Sequence, residues 1–349
     1  MLEIRKLLWL AAAIVVLNTV VSAQDPQPLK LSKTINVSNV NGRFDHFGMD
    51  VSGKRLFLTG EHQGTIEVID LKSDRQVHTI TGLVKPHASY YRPDSNELFV
   101  SDDDGICKIY RADSYSLIKT LKLTLEYSDG LRLDSKTGYI YVVNSGHPLK
   151  GGPPGAMLAV IDTKNWTHIG DIKFKGKEIE ALAIEATGSR IFVDIETTKE
   201  VAVIDREKRT QIDTWPLRGG GGAPYAIGLD EARHRVFVAT RKPGEILVMN
   251  SDSGKLITTL PIGDGADDLF YDPVRQRLYV SSGYSATHNE GRIDVYQQDD
   301  ADHYRSVQTI STGASSPTSI FAPDLNEYFV VLEKNDRDSA KVQIYSVNP

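Results

Sequence analysis

The stretch RFDHFGMDVSGKRLFL, residues 43–58, places a charged pair, Asp45 and His46, just where an apolar strand should begin. Its second half, MDVSGKRLFL (49–58), reads as two strands around a tight turn made of small and polar residues. The same signature returns as YRPDSNELFV (91–100), LDSKTGYIYV (133–142), IEATGSRIFV (184–193), LDEARHRVFV (229–238), YDPVRQRLYV (271–280) and FAPDLNEYFV (321–330). The equivalent positions Asp50, Arg92, Asp134, Glu185, Asp230, Asp272 and Ala322 are 42, 42, 51, 45, 42 and 50 residues apart. A recurrence of this length is the mark of a repeat architecture.

Each hairpin is followed by a third strand: TIEVID, ICKIYR, LAVIDT, VAVIDR, EILVMN, RIDVYQ and VQIYSV. Six of these are followed by a fourth, such as QVHTITG and TQIDTWPL, but the seventh has none because the chain ends at Pro349. LKLSKTINV (29–37) has the fourth-strand pattern and stands before the first repeat. The sequence therefore predicts an all-β, seven-bladed β-propeller of four-stranded antiparallel blades, closed by the N-terminal strand completing the last blade. Such closure leaves no open sheet edge. No linker-like stretch separates the repeats, so residues 24–349 read as a single propeller domain rather than two stacked β-domains.

With these repeats the chain resembles the YVTN, or YncE-like, family of secreted β-propellers. The motifs that carry the resemblance are IYVVN (140–144) and the paired phrases GTIEVIDLKSDRQVHTITG (64–82) and KEVAVIDREKRTQIDTWPL (199–217). FLTG (57–60) and FVDI (192–195) depart from the YVTN tetrapeptide, as in a divergent member. The resemblance implies the fold and export. It implies little chemistry, because propellers host many unrelated functions.

The N-terminus agrees with export. Arg5 and Lys6 precede an apolar run from Leu7 to Leu17, and Val21-Ser22-Ala23 suits a signal peptidase. Residues 1–23 are expected to be a signal peptide cleaved after Ala23, leaving a periplasmic or secreted protein with no membrane span. An uncleaved anchor is the alternative, and against it the apolar run is short for a full crossing. The formal charge of −6 becomes −7 once Glu3, Arg5 and Lys6 are removed. That mild acidity gives no footprint for the phosphate backbone of a nucleic acid. Cys107 is the only cysteine. An internal disulfide, a CxxCH attachment for haem c and a Cys-rich zinc site are thereby excluded. Lying in the alternating run GICKIYR, Cys107 reads as a small buried hydrophobe.

In a propeller the first strand of each blade lines the central channel. Counting five residues back from each aligned turn position gives the residues that open these strands: Asp45, His87, Asp129, Glu180, Tyr225, Asp267 and Pro317. The neighbouring set is His46, Ala88, Gly130, Ala181, Ala226, Asp268 and Thr318, and a slip of one residue would exchange the two. Asp45 and His46 thus belong to a polar ring at the channel mouth. The ring either holds water, as channels do, or binds something. Four carboxylates at one mouth raise each other's pKa unless something offsets them. His46 and His87 as cations could do so, as could a divalent metal ion held by His87, Asp129 and Glu180. No HExxH or similarly spaced pair supports the metal.

The rim of the same face carries His62, Asp102, Asp103, His147, Glu196, Arg241, Lys242 and His288. NSGHPLKGGPPGAM (144–157) and SSGYSATHNEG (281–291) are unusually long loops, the kind that carries binding function on a rigid scaffold. RGGGGAPY (218–225) lacks the GK[ST] of a phosphate loop and reads as pliant backbone. There is no GxSxG, and the SxxK match at 116–119 falls in an outer fourth strand. Trp9, Trp166 and Trp215 show no quinoprotein pattern. Two readings remain. One is an envelope binding or scaffold propeller for a small polar molecule, a peptide or a partner protein. The other is a metal-assisted, lactonase-like hydrolase with His46 or His87 as general base. N-terminal sequencing of exported material is expected to begin at Gln24, and an intact Met1 in a membrane fraction would overturn the export reading.

Overall fold

The computed structural model describes residues 27–38, 40–217, 222–283, 291–313, 315–334 and 339–349. The expected signal peptide, His288 and part of the glycine run at 218–221 lie outside the described residues. Among the described residues the strands form five four-stranded antiparallel sheets and one eight-stranded sheet, in which two four-stranded antiparallel units are joined by a single parallel bridge, giving seven units in all. The innermost strands are Phe44–Asp50, Pro86–Arg92, Leu125–Asp134, Ile179–Ile184, Pro224–Asp230, Asp268–Asp272 and Ser319–Ala322. They are numbered here as the first strands of blades 1 to 7. No helix among the described residues is long and apolar enough to cross a membrane.

Turn chemistry explains the repeat. The acid at the aligned position folds back to accept backbone N–H groups of the turn: Asp50 from Gly53 at 2.8 Å, Asp134 from Lys136 at 3.0 Å, Asp272 from Val274 at 2.9 Å. A Cβ on Gly53 would lie 2.0 Å from the Asp50 carboxylate, so a side chain there would displace that carboxylate. Lys54, Asn96, His234, Gln276 and Asn326 then take φ values between 52° and 60°, the left-handed step that redirects the chain into the second strand.

The second and third strands read as unbroken apolar runs because blades pack on both faces. Seven buried clusters fill the seven interfaces. One joins Phe57 and Val68 of blade 1 to Leu98 and Val100 of blade 2. The next joins Phe99 and Cys107 to Ile140 and Ala159 of blade 3. The series ends with Phe329 and Val342 of blade 7 against Leu56 and Leu58 of blade 1. Cys107 is buried as expected, and burial pushes its thiol up to about 12.

Leu29–Asn36 completes blade 7. It runs antiparallel to Lys341–Val347, from Leu29 opposite Val347 to Asn36 opposite Lys341, and Val37 N–H continues the ladder to Ala340 O at 2.9 Å. Leu29, Ile35 and Val37 are almost fully buried along it. At roughly 2 kcal/mol each, these three side chains contribute about 6 kcal/mol. That is comparable with the whole stability of a typical domain. A truncation starting at Asn41 is expected to aggregate or to melt far below the full mature chain. Thermal denaturation and size-exclusion chromatography check this, and a monomer melting like the parent would refute it.

Candidate functional site

The channel mouth is built on bulges. In blades 1 to 5 the pairing of first and second strands shifts register at the mouth: between Asp45 and Gly48, Pro86 and Ala88, Ser128 and Leu131, Ile179 and Leu182, and Pro224 and Ala226. A bulge re-aims side chains that a flat strand would send to opposite faces. Polar residues of the second strands support it. Thr59 donates to His46 O at 3.1 Å, and Ser101 accepts from Ala88 N–H at 3.0 Å. Asp194 accepts from the N–H groups of Glu180 and Ala181 at 3.1 and 2.7 Å, and Ser281 donates to Pro317 O at 2.7 Å. Both sets from the aligned hairpins therefore reach the site, with His46 and Asp268 of the neighbouring set beside Asp45 and Asp267. Blades 1 and 2 also touch directly, through a parallel bridge between His46 and Ala88.

The buried centre of the mouth is a chain of acids and imidazoles. His87 donates through Nδ1 to Asp45 Oδ2 at 2.8 Å and through Nε2 to Asp103 Oδ1 at 3.2 Å. His46 donates through Nδ1 to Asp268 Oδ1 at 3.0 Å, and Asp268 Oδ2 accepts Ser319 N–H at 2.8 Å. Burial opposes the charge on both rings, but the acids win. Asp268 and Asp45 lift His46 to about 10, and Asp103, Asp129 and Asp45 lift His87 to about 11. Conversely, although burial favours its neutral form, Asp45 is held well below the carboxylate range by His46, His87 and Arg43. Each imidazole thus holds its proton at neutral pH, so neither is a general base as it stands.

Arginines and a lysine neutralise the adjoining wall. Arg43 meets Glu61 at 3.1 Å and Asp267 at 3.0 Å, and Lys85 meets Glu61 at 2.7 Å. Arg241 binds the other oxygen of Asp267 and lies over the Tyr225 ring, 3.4 Å from its centroid. Tyr225 in turn donates to Glu196 at 2.8 Å.

On the side of blades 3 and 4 the mouth opens into a cavity of about 260 Å³, lined by His87, Asp129, Glu178, Glu180, Glu196 and Tyr225 among others. Cations are scarce here. Burial, with the charge of Asp129 added, raises Glu180 well above its ordinary value. Asp129 is raised by burial and by Asp45 and Asp267, against the pull of His87 and His46. Glu178 is raised chiefly by its hydrogen-bonding contact with Glu196. Farther down the channel a second cavity of about 470 Å³ is lined by Tyr90, Phe270, Tyr271 and Phe321, and His46 and Asp268 stand at its upper end.

Asp45, His46, His87, Asp129, Glu180, Tyr225, Asp267, Asp268 and Arg241 are thus assembled around the mouth. The loop expected over 144–157 is shorter than that, because strands cover Tyr139–Pro148 and Gly155–Asp162; His147 is exposed near the end of the first, and its described hydrogen bonds go to Glu126 and Gly152. The metal trio expected from sequence, His87, Asp129 and Glu180, does not form a common donor set. Both His87 nitrogens are engaged, and among the described residues the groupings with atoms within 4.8 Å are Asp45–His46–Asp129 and Asp45–Glu61–His87. Arg43, Lys85, Tyr127 and Glu178 were not singled out from sequence. They occupy the position two residues before the ring position in blades 1 to 4, so the same alignment shifted by one strand period finds them.

No protein-family model matches the chain. The chain is similar to the uncharacterized protein YncE of Salmonella typhi and of Salmonella typhimurium, 24% identical to each over 214 residues, or 60% of its length. The matched region spans just over half, 56%, of those relatives. Among solved structures it resembles a chain of a mitotic checkpoint complex, with a TM-score of 0.73 and 12% identity over 100% of both chains. It also resembles the Kuenenia stuttgartiensis hydrazine synthase, with a TM-score of 0.72 and 16% identity over 90% of this chain and 99% of that one. At these identities the structural likeness concerns the fold alone. Together these similarities support a YncE-like propeller.

Asp194 gives the site a measurable pH signature. Burial raises its carboxyl to about 7 against the two amides that favour the charged form. The native state therefore binds more protons than the unfolded chain between about pH 4 and 7, and stability falls as pH rises through that window. Asp194→Asn keeps the accepting oxygen and removes the titration. Relative to the parent, it is expected to gain up to about 4 kcal/mol between pH 4 and 8. Denaturant unfolding across that range measures the difference, and parallel profiles would refute the assignment.

Proposed function

We propose that this chain is an exported binding propeller whose mouth cavity takes a small polar ligand carrying a cationic group. The observation that carries the reading is Glu180. Its carboxylate lines the cavity and makes no hydrogen bond or salt bridge among the described residues, and burial with the charges of Asp129, Asp194 and Glu196 outweighs the pull of the Arg241 guanidinium on it. A partly buried carboxylate without a hydrogen-bond partner is costly. A ligand ammonium or guanidinium offsets that cost on binding, and the hydroxyl of Tyr225 and the nearby Ser128 supply polar neighbours. The hydrolytic reading needs a base, and the two imidazoles hold their protons against flanking acids. Binding is therefore the function the geometry supports best.

Thermal shift with agmatine and putrescine as cationic probes, and succinate as the matched anion, tests the proposal. The cations should raise the Tm of the wild type by several degrees, as expected when a probe saturates a native-state site. Succinate should not. Glu180→Gln relieves like-charge repulsion, so without a probe it should melt at or above the wild type at pH 7 while losing the cation-induced shift. A Glu180→Gln protein that keeps the full shift, or an equal shift with succinate, would refute the assignment.

A further inference from the structure

Beneath the cavity lies an arrangement that its ligand chemistry does not use. His46 is oriented by its Nδ1–H bond to Asp268 at 3.0 Å, which leaves Nε2 aimed across the mouth. Two carboxylate oxygens flank that nitrogen: Asp45 Oδ1 at 3.7 Å and Asp129 Oδ1 at 3.8 Å. These separations are too long for hydrogen bonds. Ligands sharing one zinc-sized ion at bonds near 2.0–2.1 Å sit about 3.4 Å apart, so these two separations need close by only a few tenths of an ångström. The ligand atoms of all three residues lie within 4.8 Å of one another. Asp45 is only 4% exposed, and the buried Asp129 Oδ1 has no hydrogen-bond partner. A buried, orphaned acceptor beside a second buried carboxylate calls for a cation at that point.

We propose that His46 Nε2, Asp45 Oδ1 and Asp129 Oδ1 form a binding site for a divalent ion of the zinc or manganese class, which on binding displaces the Nε2 proton of the imidazolium to water while Nδ1–H stays on Asp268. One imidazole with two carboxylates is a borderline donor set suited to such ions. Asp268 plays the part that carboxylates commonly play behind a metal-bound histidine: it fixes the tautomer and the ring direction. His87 performs a similar service on the other side, because its bond to Asp45 Oδ2 holds that carboxylate with Oδ1 turned to His46. The alternative grouping of Asp45, Glu61 and His87 is already paired in charge. Arg43 and Lys85 form ion pairs with Glu61, although its Oε2 has no hydrogen bond, and both nitrogens of His87 donate to acids. Three protein donors leave coordination positions for water or a ligand. Asp129 also lines the cavity above, so the ion would sit at its floor.

The test uses the full mature protein, stripped with a chelator and dialysed, then titrated calorimetrically with Zn²⁺ or Mn²⁺ alone and checked by elemental analysis. One ion per chain is expected. His46→Ala and Asp129→Asn should each weaken uptake at least tenfold, and Asp268→Asn should weaken it by about 10–100-fold through misorientation of His46. His147→Ala, near the exposed end of the strand Tyr139–Pro148, should bind as the wild type does. The titration contains no organic cation, so the ion is read separately from it. Because Asp129 is partly exposed and Asn is nearly isosteric, that variant should keep its fold. Its Tm should lose the rise that the ion gives the wild type. Absence of stoichiometric uptake by the wild type, or uptake unchanged in both His46→Ala and Asp129→Asn, would overturn the proposal.

Discussion

Each blade of this protein has two apolar faces and can hide neither by itself. Phe57 and Val68 look toward blade 2, while Leu56 and Ile69 of the same two strands look toward blade 7. A stack open at either end would leave one such face and one sheet edge in water, so the chain is obliged to close on itself. The N-terminal strand meets that obligation. Leu29 packs with Tyr279 and Tyr328 at the interface of blades 6 and 7, whereas Ile35 packs with Leu56 at the interface of blades 7 and 1. One short strand thereby stitches interfaces on both sides of the seam.

Closure brings seven strand ends to one axis, and the chemistry of the mouth follows from that crowding. Alternation would turn consecutive residues to opposite faces, yet Asp45 and His46 both serve the site because the strand bulges there. Charged groups packed this densely are tolerated only when they are paired or neutral. Blade 1 therefore brings Arg43 beside Asp45, and blade 2 brings Lys85 beside His87. Arg241 of blade 5 reaches across to Asp267 of blade 6.

The repeat spelled out the ring because its spacing is set by local hairpin chemistry, which is written in a few adjacent residues. Asp45, His87, Asp129, Glu180, Tyr225 and Asp267 were legible by offset from Asp50 and its equivalents. What was not legible is which of two neighbours faces inward, since a bulge depends on support from another strand. Thr59 and Asp194, which provide it, look in sequence like ordinary strand residues. Partner choice was hidden for a similar reason. His87 could have been a ligand, a base or a cation by its type and place. Only the positions of Asp45 and Asp103 on either side of its ring make it a doubly paired imidazolium.

The distribution of partners around the axis is uneven, and this asymmetry gives the mouth a direction. Blades 1, 2, 5 and 6 neutralise their acids with Arg43, Lys85, Arg241 and the two imidazoles. Blades 3 and 4 contribute Asp129, Glu178, Glu180 and Glu196 but no lysine or arginine among the residues lining the cavity. The cavity opens on that same side. Packing alone would have no reason to put the space where the like charges are, since water-filled room and unpaired acid could sit anywhere around a sevenfold ring. Their coincidence is what a cation site requires: acids with no lysine or arginine lining the space between them, and a cavity large enough for something else to come there. Asp129 stands at the boundary of the two halves, with one oxygen turned toward His46 and the other 3.9 Å from His87 Nδ1. Any charge bound on the open side is therefore felt by the paired side through this single carboxylate.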